Sequence, residues 1–312
     1  KVVPLLAFIG LVALAFQVDT FRLDFWGNAQ LGSVLDQVRS TMLVTVWVFI
    51  GIEGASVYSA RAARREDVGR ATVIGFLICL VLLMGVSLLS LGIMTQPQLA
   101  GLKNPSMAPV LEQVVGTWGA VLVYLGLIVS VGGGFLAWTL LAAESLFTPA
   151  GGGVMPAWLA KQNDKGVPAH ALWLTNGMVQ IFLLLTLVSK ASYLALISLS
   201  TAMILIPYLF SAVYGLRLAW QGEGAEASHH PRRDAPIAAL ASIYCMWLLY
   251  AAGLKYLLLS ALLYAPGAIV YLVALKQGAA RHFTPTEAVI LTALVILAMV
   301  AAAMLATGRL GL

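Results

Sequence analysis

Repeated apolar runs, each about 20 residues long, constrain this chain more than any other feature. An α-helix needs a run of about that length to cross the hydrocarbon core of a bilayer. Of the 312 residues, 61% are hydrophobic and 10% are charged, whereas soluble domains carry roughly 25% charged residues. The sequence therefore predicts an all-α polytopic membrane protein.

We predict about nine transmembrane helices, at 2–17, 40–60, 70–94, 114–146, 168–188, 192–217, 237–253, 256–275 and 286–306. The run at 114–146 is longer than a simple span, so we expect it to tilt or to break near Gly132–Gly134. The turn between the seventh and eighth spans is tight, with Gly253 and Lys255 marking it. Because no soluble domain is visible, residues 1–312 are expected to form a single transmembrane domain.

Basic residues near the helix ends predict the orientation, because cytoplasmic loops are enriched in lysine and arginine. If the chain starts in the cytoplasm, twelve of its 18 lysine and arginine residues fall on the cytoplasmic side. We therefore expect a cytoplasmic start and an end on the outer face. Lys1 opens directly into an apolar helix, without an initiator methionine or a targeting region, so we interpret the beginning as a cut into a longer chain.

Glu53 is the strongest candidate for a functional charge, because charged side chains inside spans are costly and rare. It lies in the middle of the 40–60 span, between Gly51 and Gly54. These glycines permit the helix to unwind, and unwound backbone at membrane depth is tolerated where it lines a cavity. Such a carboxylate suits proton-linked gating or binding of a cation. The alternative is a carboxyl group that only bonds a neighbouring helix.

Two tryptophans, Trp47 and Trp138, lie in mid-span beside glycines. Tryptophans at membrane interfaces are ordinary belt residues, but these two suit a cation–π or stacking wall for a guanidinium or ammonium group. The alternative for each is core packing.

Three hydroxyl side chains, Ser198, Ser200 and Thr201, precede Pro207 in the sixth span. They are candidates to satisfy backbone groups that the proline frees, or to contact substrate. Helix packing is the alternative.

Other classes of function have little support in the residues. The net charge is +5, but the basic residues are scattered among short loops and do not form a nucleic-acid-binding stripe. There is no Gly-x-Ser-x-Gly elbow, no phosphate-cradling loop and no paired intramembrane Asp or His, so we expect no enzyme, no catalytic residue and no cofactor. His229 and His230 have no partner at ligand spacing, so we expect no metal site.

Several strings resemble the basic amino acid/polyamine antiporters of the amino acid–polyamine–organocation superfamily. WVFIGIEGASVYSAR at 47–61, followed by RREDVGRAT at 64–72, is similar to the sixth helix and following loop of that family. GGFLAWTLL at 133–141 and IPYL at 206–209 are similar to its eighth and tenth helices. The bacterial arginine/ornithine antiporters are the most similar group, because the Arg-rich loop and the additional last helix both fit them.

The resemblance implies a fold of two inverted five-helix repeats followed by further helices, with substrate bound between broken first and sixth helices. Residues 1–17 resemble the fifth helix, 40–217 resemble helices six to ten, and 237–306 resemble the C-terminal extra helices. Helices one to four are then missing. Because the first helix binds the substrate's carboxylate and amino groups in that family, we expect this chain to carry half of the binding site.

The resemblance also implies roles for residues of the sixth helix. Trp47 corresponds to a gate aromatic, Ile50 to a contact for the aliphatic part of the substrate, and Glu53 to an acidic pH sensor. We assign Gly51, which lies between them, to the substrate site as well.

On the other two matching helices the resemblance implies three further roles. Trp138 corresponds to the aromatic near the substrate side chain. Ser200 falls where the family places a serine contact, and Tyr208 resembles a gating position.

These features predict a secondary transporter of a bacterial inner membrane that exchanges cationic amino acids, arginine for ornithine, by alternating access. One alternative is a proton-coupled transporter of lysine or a polyamine. An alternative of another class is a non-transporting membrane scaffold or an inactive permease fragment. The expected partners are basic amino acids and the lipid bilayer; the resemblance allows a homodimer, and no nucleic acid is expected.

Overall fold

A computed structural model describes residues 2–23, 26–27, 31–59, 62–189, 193–221, 231–277 and 284–310, and within them the only regular structure is helical. The end of the 47–61 string and the pair His229 and His230 lie outside the described residues. The α-helices are α1 (Val2–Leu14), α2 (Val18–Arg22), α3 (Val34–Trp47), α4 (Gly54–Val57), α5 (Arg65–Ser90), α6 (Gln96–Ala100), α7 (Met107–Val115), α8 (Thr117–Gly151), α9 (Ala169–Ser189), α10 (Tyr193–Gln221), α11 (Pro231–Gln277) and α12 (Pro285–Ala306).

Five of these helices, α5, α8, α10, α11 and α12, are long and apolar enough to cross a membrane, and α1 and α9 contain shorter apolar stretches. This confirms an all-α, polytopic membrane protein. The predicted spans do not map one to one onto the helices. The 40–60 region is divided into α3 and α4, and the regions 237–253 and 256–275 both lie in α11. The assignment of these helices to those of the family stays a prediction.

The chain divides into two compact units, of which the first comprises Lys1–Val34 and Gly51–Ser145. Its buried core lies where α1, α7 and α8 pack together. The buried side chains are Phe8, Val12, Ala108, Val110, Leu111, Ala120 and Val123. The end of α1 is also bonded to the end of α5, because the amide of Gln17 donates to the carbonyl of Gly92 at 3.0 Å.

The second unit comprises Leu35–Ile50 and Leu146–Leu312. One buried cluster joins α3, α10 and the first part of α11, and a second joins α10, the later part of α11, and α12 with the residues that follow it. The helix α12 begins at a capping box. The hydroxyl of Thr284 accepts from the amide of Glu287 at 3.3 Å, and the Glu287 carboxylate accepts from the amide of Thr284 at 2.8 Å.

Gly253 divides α11, because its φ of 77° and ψ of 161° are not helical. Leu248, before this point, packs in a cluster with Ala202 and Leu205 of α10. Tyr264, after it, donates a hydrogen bond to the carbonyl of Met203. A straight helix would separate Leu248 from Tyr264 by about 24 Å, so the chain must turn back at Gly253. The tight turn predicted at this glycine is confirmed.

Of the two alternatives predicted for the 114–146 run, a tilt or a break near Gly132–Gly134, the structure contradicts the break, and the tilt stays a prediction. The helix runs without interruption from Thr117 to Gly151, through Gly132–Gly134, so the expected break is absent. Its 35 residues correspond to about 52 Å, well beyond the thickness of a bilayer core. A glycine retains its amide donor, so the intrahelical hydrogen bonds can continue through such a stretch.

Candidate functional site

The predicted sixth-helix region is broken between Trp47, where α3 ends, and Gly54, where α4 begins. Past the end of α3 the bonds tighten to the three-residue spacing of a 3₁₀ turn: the amide of Ile50 donates to the carbonyl of Trp47 at 3.2 Å. Gly51 then takes a φ of +109°, a region that L residues rarely adopt. The break therefore depends on a glycine at position 51.

Glu53 lies within the break and stabilises it by a hydrogen bond to its backbone. Its Oε2 accepts a hydrogen bond from the amide of Gly51 at 2.7 Å, in a partly buried position. A bond from an amide to an ionised carboxylate is shorter and stronger than one between neutral groups. The carboxylate thus satisfies a backbone donor that leaves the helical pattern, and the break and the acidic side chain form one local structure.

Trp138 of α8 lies against the same glycine. A Cβ built on Gly51 would stand 3.1 Å from Cζ2 and 3.5 Å from Cη2 of the indole. The hydrogen of a glycine leaves room for this approach, whereas a methyl group would crowd the ring. Trp138 is nevertheless 46% exposed, so much of the indole remains open to a second partner. The structure therefore places together three of the predicted site residues, Gly51, Glu53 and Trp138.

The first residue of α4, Gly54, also lies near α8, beside Leu141. A Cβ on Gly54 would lie 3.8 Å from Cδ1 of Leu141, which is an ordinary van der Waals distance. Gly54 is therefore not crowded, in contrast with Gly51. This difference between two glycines in one segment provides a matched pair for mutagenesis.

The other predicted residues belong to the second unit. Trp47 and Ile50 are half-buried at the end of α3, and Ser200 and Tyr208 are half-buried on α10. The two helices are bonded directly, since the buried Thr201 hydroxyl donates to the carbonyl of Leu43 at 3.1 Å.

The Thr201 hydroxyl also donates to the carbonyl of Ile197 within its own helix, at 2.9 Å. Among the three hydroxyl residues singled out before Pro207, Thr201 thus serves helix packing. Its two acceptors do not include the carbonyl of Met203, the group that Pro207 would free. The donor to that carbonyl comes from another helix, α11.

The sequence reasoning missed a cleft in the second unit, whose lining is part polar and part apolar. It has a volume of about 380 Å³, and its lining includes Asp36, Arg39 and Ser198. The guanidinium of Arg39 lies 4.6 Å from the centroid of the Tyr250 ring, within the range of a cation–π contact. The available signal was the spacing of Asp36, Arg39 and Ser40, which places three polar side chains on one face of α3.

Metal binding has no candidate cluster in the part of the chain that the structure describes. There, no group of three or more His, Cys, Asp or Glu side chains could ligate an ion.

Comparison with known proteins gives a consistent result. Residues 1–269 match the family described as amino acid permease. The chain is 54% identical over 311 residues to the "Arginine/ornithine antiporter" of Pseudomonas aeruginosa, covering 97% of this chain and 64% of that protein. It is 41% identical over 308 residues to the "Putative arginine/ornithine antiporter" of Escherichia coli K12, covering 99% and 65%.

A third relative carries a different name. The chain is 40% identical over 329 residues to the "L-lysine transport protein" of Corynebacterium glutamicum, covering 100% of this chain and 66% of that protein. The chain thus spans about 64–66% of the length of these three relatives, all of which are named for transport and none for an enzymatic reaction. The family match over 1–269, with these identities and the membrane-length helices, shows that the chain belongs to the amino acid permease family.

Proposed function

We propose that the protein exchanges cationic amino acids across a membrane, arginine for ornithine, by alternating access. The observation that carries this proposal is the 54% identity, over nearly the whole chain, to a protein named "Arginine/ornithine antiporter". The second relative, at 41% identity, bears a similar name. A broken helix with a carboxylate and an open indole beside it supplies side chains that suit such substrates.

Trp138 is proposed to face the cationic end of the substrate. Its indole packs against Gly51 along one edge while 46% of the residue is exposed. A guanidinium or ammonium group over an indole face gains roughly 0.5–2 kcal/mol, depending on how far it is desolvated. Ile50, inside the break and next to Gly51, is proposed to contact the aliphatic part of the substrate, and Gly51 to keep the backbone open there.

Glu53 is proposed to couple the break to protons. Its carboxylate accepts the Gly51 amide, and protonation would weaken that acceptor and so loosen the conformation that Gly51 adopts. This gives a physical route from pH to the shape of the site. The role supports an exchanger with proton-sensitive gating and a proton-coupled carrier equally well.

Three residues of the second unit are proposed to take part in transport, one by contacting the substrate and two by controlling access to the site. Ser200 would contact the substrate, and Trp47 and Tyr208 would open and close access. Support comes from the direct bond between the carbonyl of Leu43, four residues before Trp47, and Thr201, next to Ser200. Because α3 and α10 are bonded, a movement of one helix would be transmitted to the other.

The proposed setting is a bacterial inner membrane, with the start of the chain in the cytoplasm and its end outside. The distribution of lysine and arginine supports this orientation. Lipids would surround the apolar helices, and a homodimer stays a prediction from the family resemblance.

Proton-coupled transport of lysine is the second candidate. Lysine as the substrate is supported by the 40% identity to a protein named "L-lysine transport protein", and the proton coupling is part of the proposal. This candidate differs from the first in needing a proton gradient and no internal substrate. A non-transporting membrane protein is the third outcome.

Counterflow in proteoliposomes separates these candidates. Protein expressed from its complete reading frame is reconstituted with ornithine, lysine, agmatine or no solute inside, and labelled arginine or lysine is added outside with or without a proton gradient. Uptake of arginine that requires internal ornithine supports exchange. Lysine uptake into empty vesicles driven by a proton gradient supports the second candidate, and no uptake with any solute by well-folded protein contradicts both.

A further inference from the structure

Pro207 lies inside α10 and changes the hydrogen bonding of that helix. A proline has no amide hydrogen, so it cannot donate to the carbonyl four residues before it. Here that carbonyl belongs to Met203. At membrane depth water is not available to replace the missing donor, and an unpaired carbonyl is costly.

The hydroxyl of Tyr264 supplies the missing donor. It donates to the carbonyl of Met203 at 2.6 Å, in a partly buried position. The two residues are 61 positions apart in the sequence, and they meet because the chain turns back at Gly253. The bond therefore links the later part of α11 to the carbonyl that the proline frees.

Packing holds the Met203 end of this bond. Met203 packs against a buried cluster in which Leu258 and Leu259 of α11 meet Leu199 of α10 and Ala301 of α12. The bond from Tyr264 therefore reaches α10 beside a well-packed part of the second unit, where a shift of α10 would disturb its neighbours.

The bond lies within the part of α10 that carries the proposed function. Ser200 precedes Met203 by three residues, and Tyr208 follows Pro207 directly. A proline inside a membrane helix is tolerated when a neighbouring helix satisfies the backbone group that it frees. The hydrogen bond from Tyr264 does this at a point of α10 between Ser200 and Tyr208.

We propose that Tyr264 is a positioning residue, whose hydroxyl fixes the local geometry of α10 at Pro207 and thereby sets Ser200 relative to Tyr208. Tyr264 acts on substrate only through α10. The consequence for transport rests on the proposed function, whereas the hydrogen bond itself does not.

A double-mutant cycle between Tyr264→Phe and Pro207→Ala tests the proposal. Alanine at 207 returns an amide donor to the Met203 carbonyl, so the tyrosine hydroxyl becomes redundant. Interhelical hydrogen bonds in membrane proteins typically change an equilibrium by roughly 3-fold and at most about 18-fold. We expect Tyr264→Phe to raise the KM for arginine exchange by that factor in the wild-type background and by less than about 2-fold with alanine at 207.

A second readout does not depend on transport. Hydrogen–deuterium exchange of the peptide covering 197–208 should increase with Tyr264→Phe in the wild-type background and stay unchanged with alanine at 207. Tyr244→Phe is the matched control, since it is the same substitution on α11 at a ring that is 48% exposed, and neither readout should move.

The outcomes separate this proposal from the proposed function. If the wild type exchanges no arginine, the function is contradicted, and the hydrogen–deuterium exchange cycle still decides whether Tyr264 fixes the geometry of α10 at Pro207. Equal effects of Tyr264→Phe in both backgrounds mean that only packing was lost, which overturns the proposal. Coupling in hydrogen–deuterium exchange without coupling in KM also overturns the positioning role.

Discussion

Replacing Gly51 with alanine tests the broken helix most sharply. The φ of +109° is rarely adopted by L residues, and a residue held in a sparsely populated backbone region costs of order 1–3 kcal/mol. The new Cβ would also stand 3.1 Å from Cζ2 of Trp138. An indole edge that is partly exposed can retreat by a few tenths of an ångström, so the backbone term is expected to dominate.

The consequence for transport follows from that energy. A difference of about 1.4 kcal/mol corresponds to a factor of ten in an equilibrium constant. If the alanine opposes the conformation that binds substrate, we expect arginine exchange at low substrate concentration to fall by roughly 5- to 150-fold. Initial rates of counterflow, measured on protein whose folding is checked by size-exclusion chromatography and thermal unfolding, give this factor.

Gly54→Ala is the matched control for this prediction. Gly54 opens α4 without a positive φ, and a Cβ built on it would lie 3.8 Å from Leu141. Alanine is favoured over glycine in a helix by about 1 kcal/mol, so we expect exchange close to that of the wild type. Wild-type exchange by Gly51→Ala, or equal losses from both substitutions, would refute the argument from backbone strain.

Two further predictions concern single hydrogen bonds. Glu53→Gln retains an oxygen that can accept the Gly51 amide but removes the titratable proton, so we expect a folded protein whose exchange varies less with pH; an unchanged pH profile contradicts the gating role. Thr201→Val removes the hydroxyl that donates to the carbonyl of Leu43. Because interhelical hydrogen bonds in membranes average about 0.6 kcal/mol, we expect the free energy of unfolding to fall by about 1 kcal/mol or less in a thermal unfolding measurement. Thr175→Val, which removes bonds only within α9, is the control, and a larger loss there argues against a role for Thr201 between helices.

The fold class could be predicted because each apolar run is a local signal. A run of about 20 apolar residues needs no knowledge of its neighbours to indicate a membrane helix. The turn at Gly253 was predictable for the same reason, since a glycine followed by Lys255 interrupts an apolar stretch. Of the two alternatives predicted for the 114–146 run, the break near Gly132–Gly134 is absent, because a glycine permits a departure from helical geometry and does not force one.

In the candidate site, the sequence predicted the local break but not the contacts between residues far apart in the chain. The glycines around Glu53 indicated that the helix could unwind, and the structure contains that break. The partner of Gly51 could not be derived, because Trp138 lies on another helix, 87 positions along the chain, and only the folded structure brings the two together. The proline at 207 likewise indicated a free carbonyl. Its donor, Tyr264, lies 61 residues away and is reached through a reversal of the chain.

We propose that the broken helix and Trp138 form part of a site for cationic amino acids. The decisive measurement is equilibrium binding of labelled arginine to the complete purified protein. Trp118→Leu is the control, because Trp118 lies near the other end of α8 and is 56% exposed. The account predicts arginine binding that ornithine displaces, and a Kd raised roughly 2- to 30-fold by loss of the cation–π contact in Trp138→Leu but unchanged in Trp118→Leu. Wild-type affinity in a well-folded Trp138→Leu protein would contradict the account and assign Trp138 to packing.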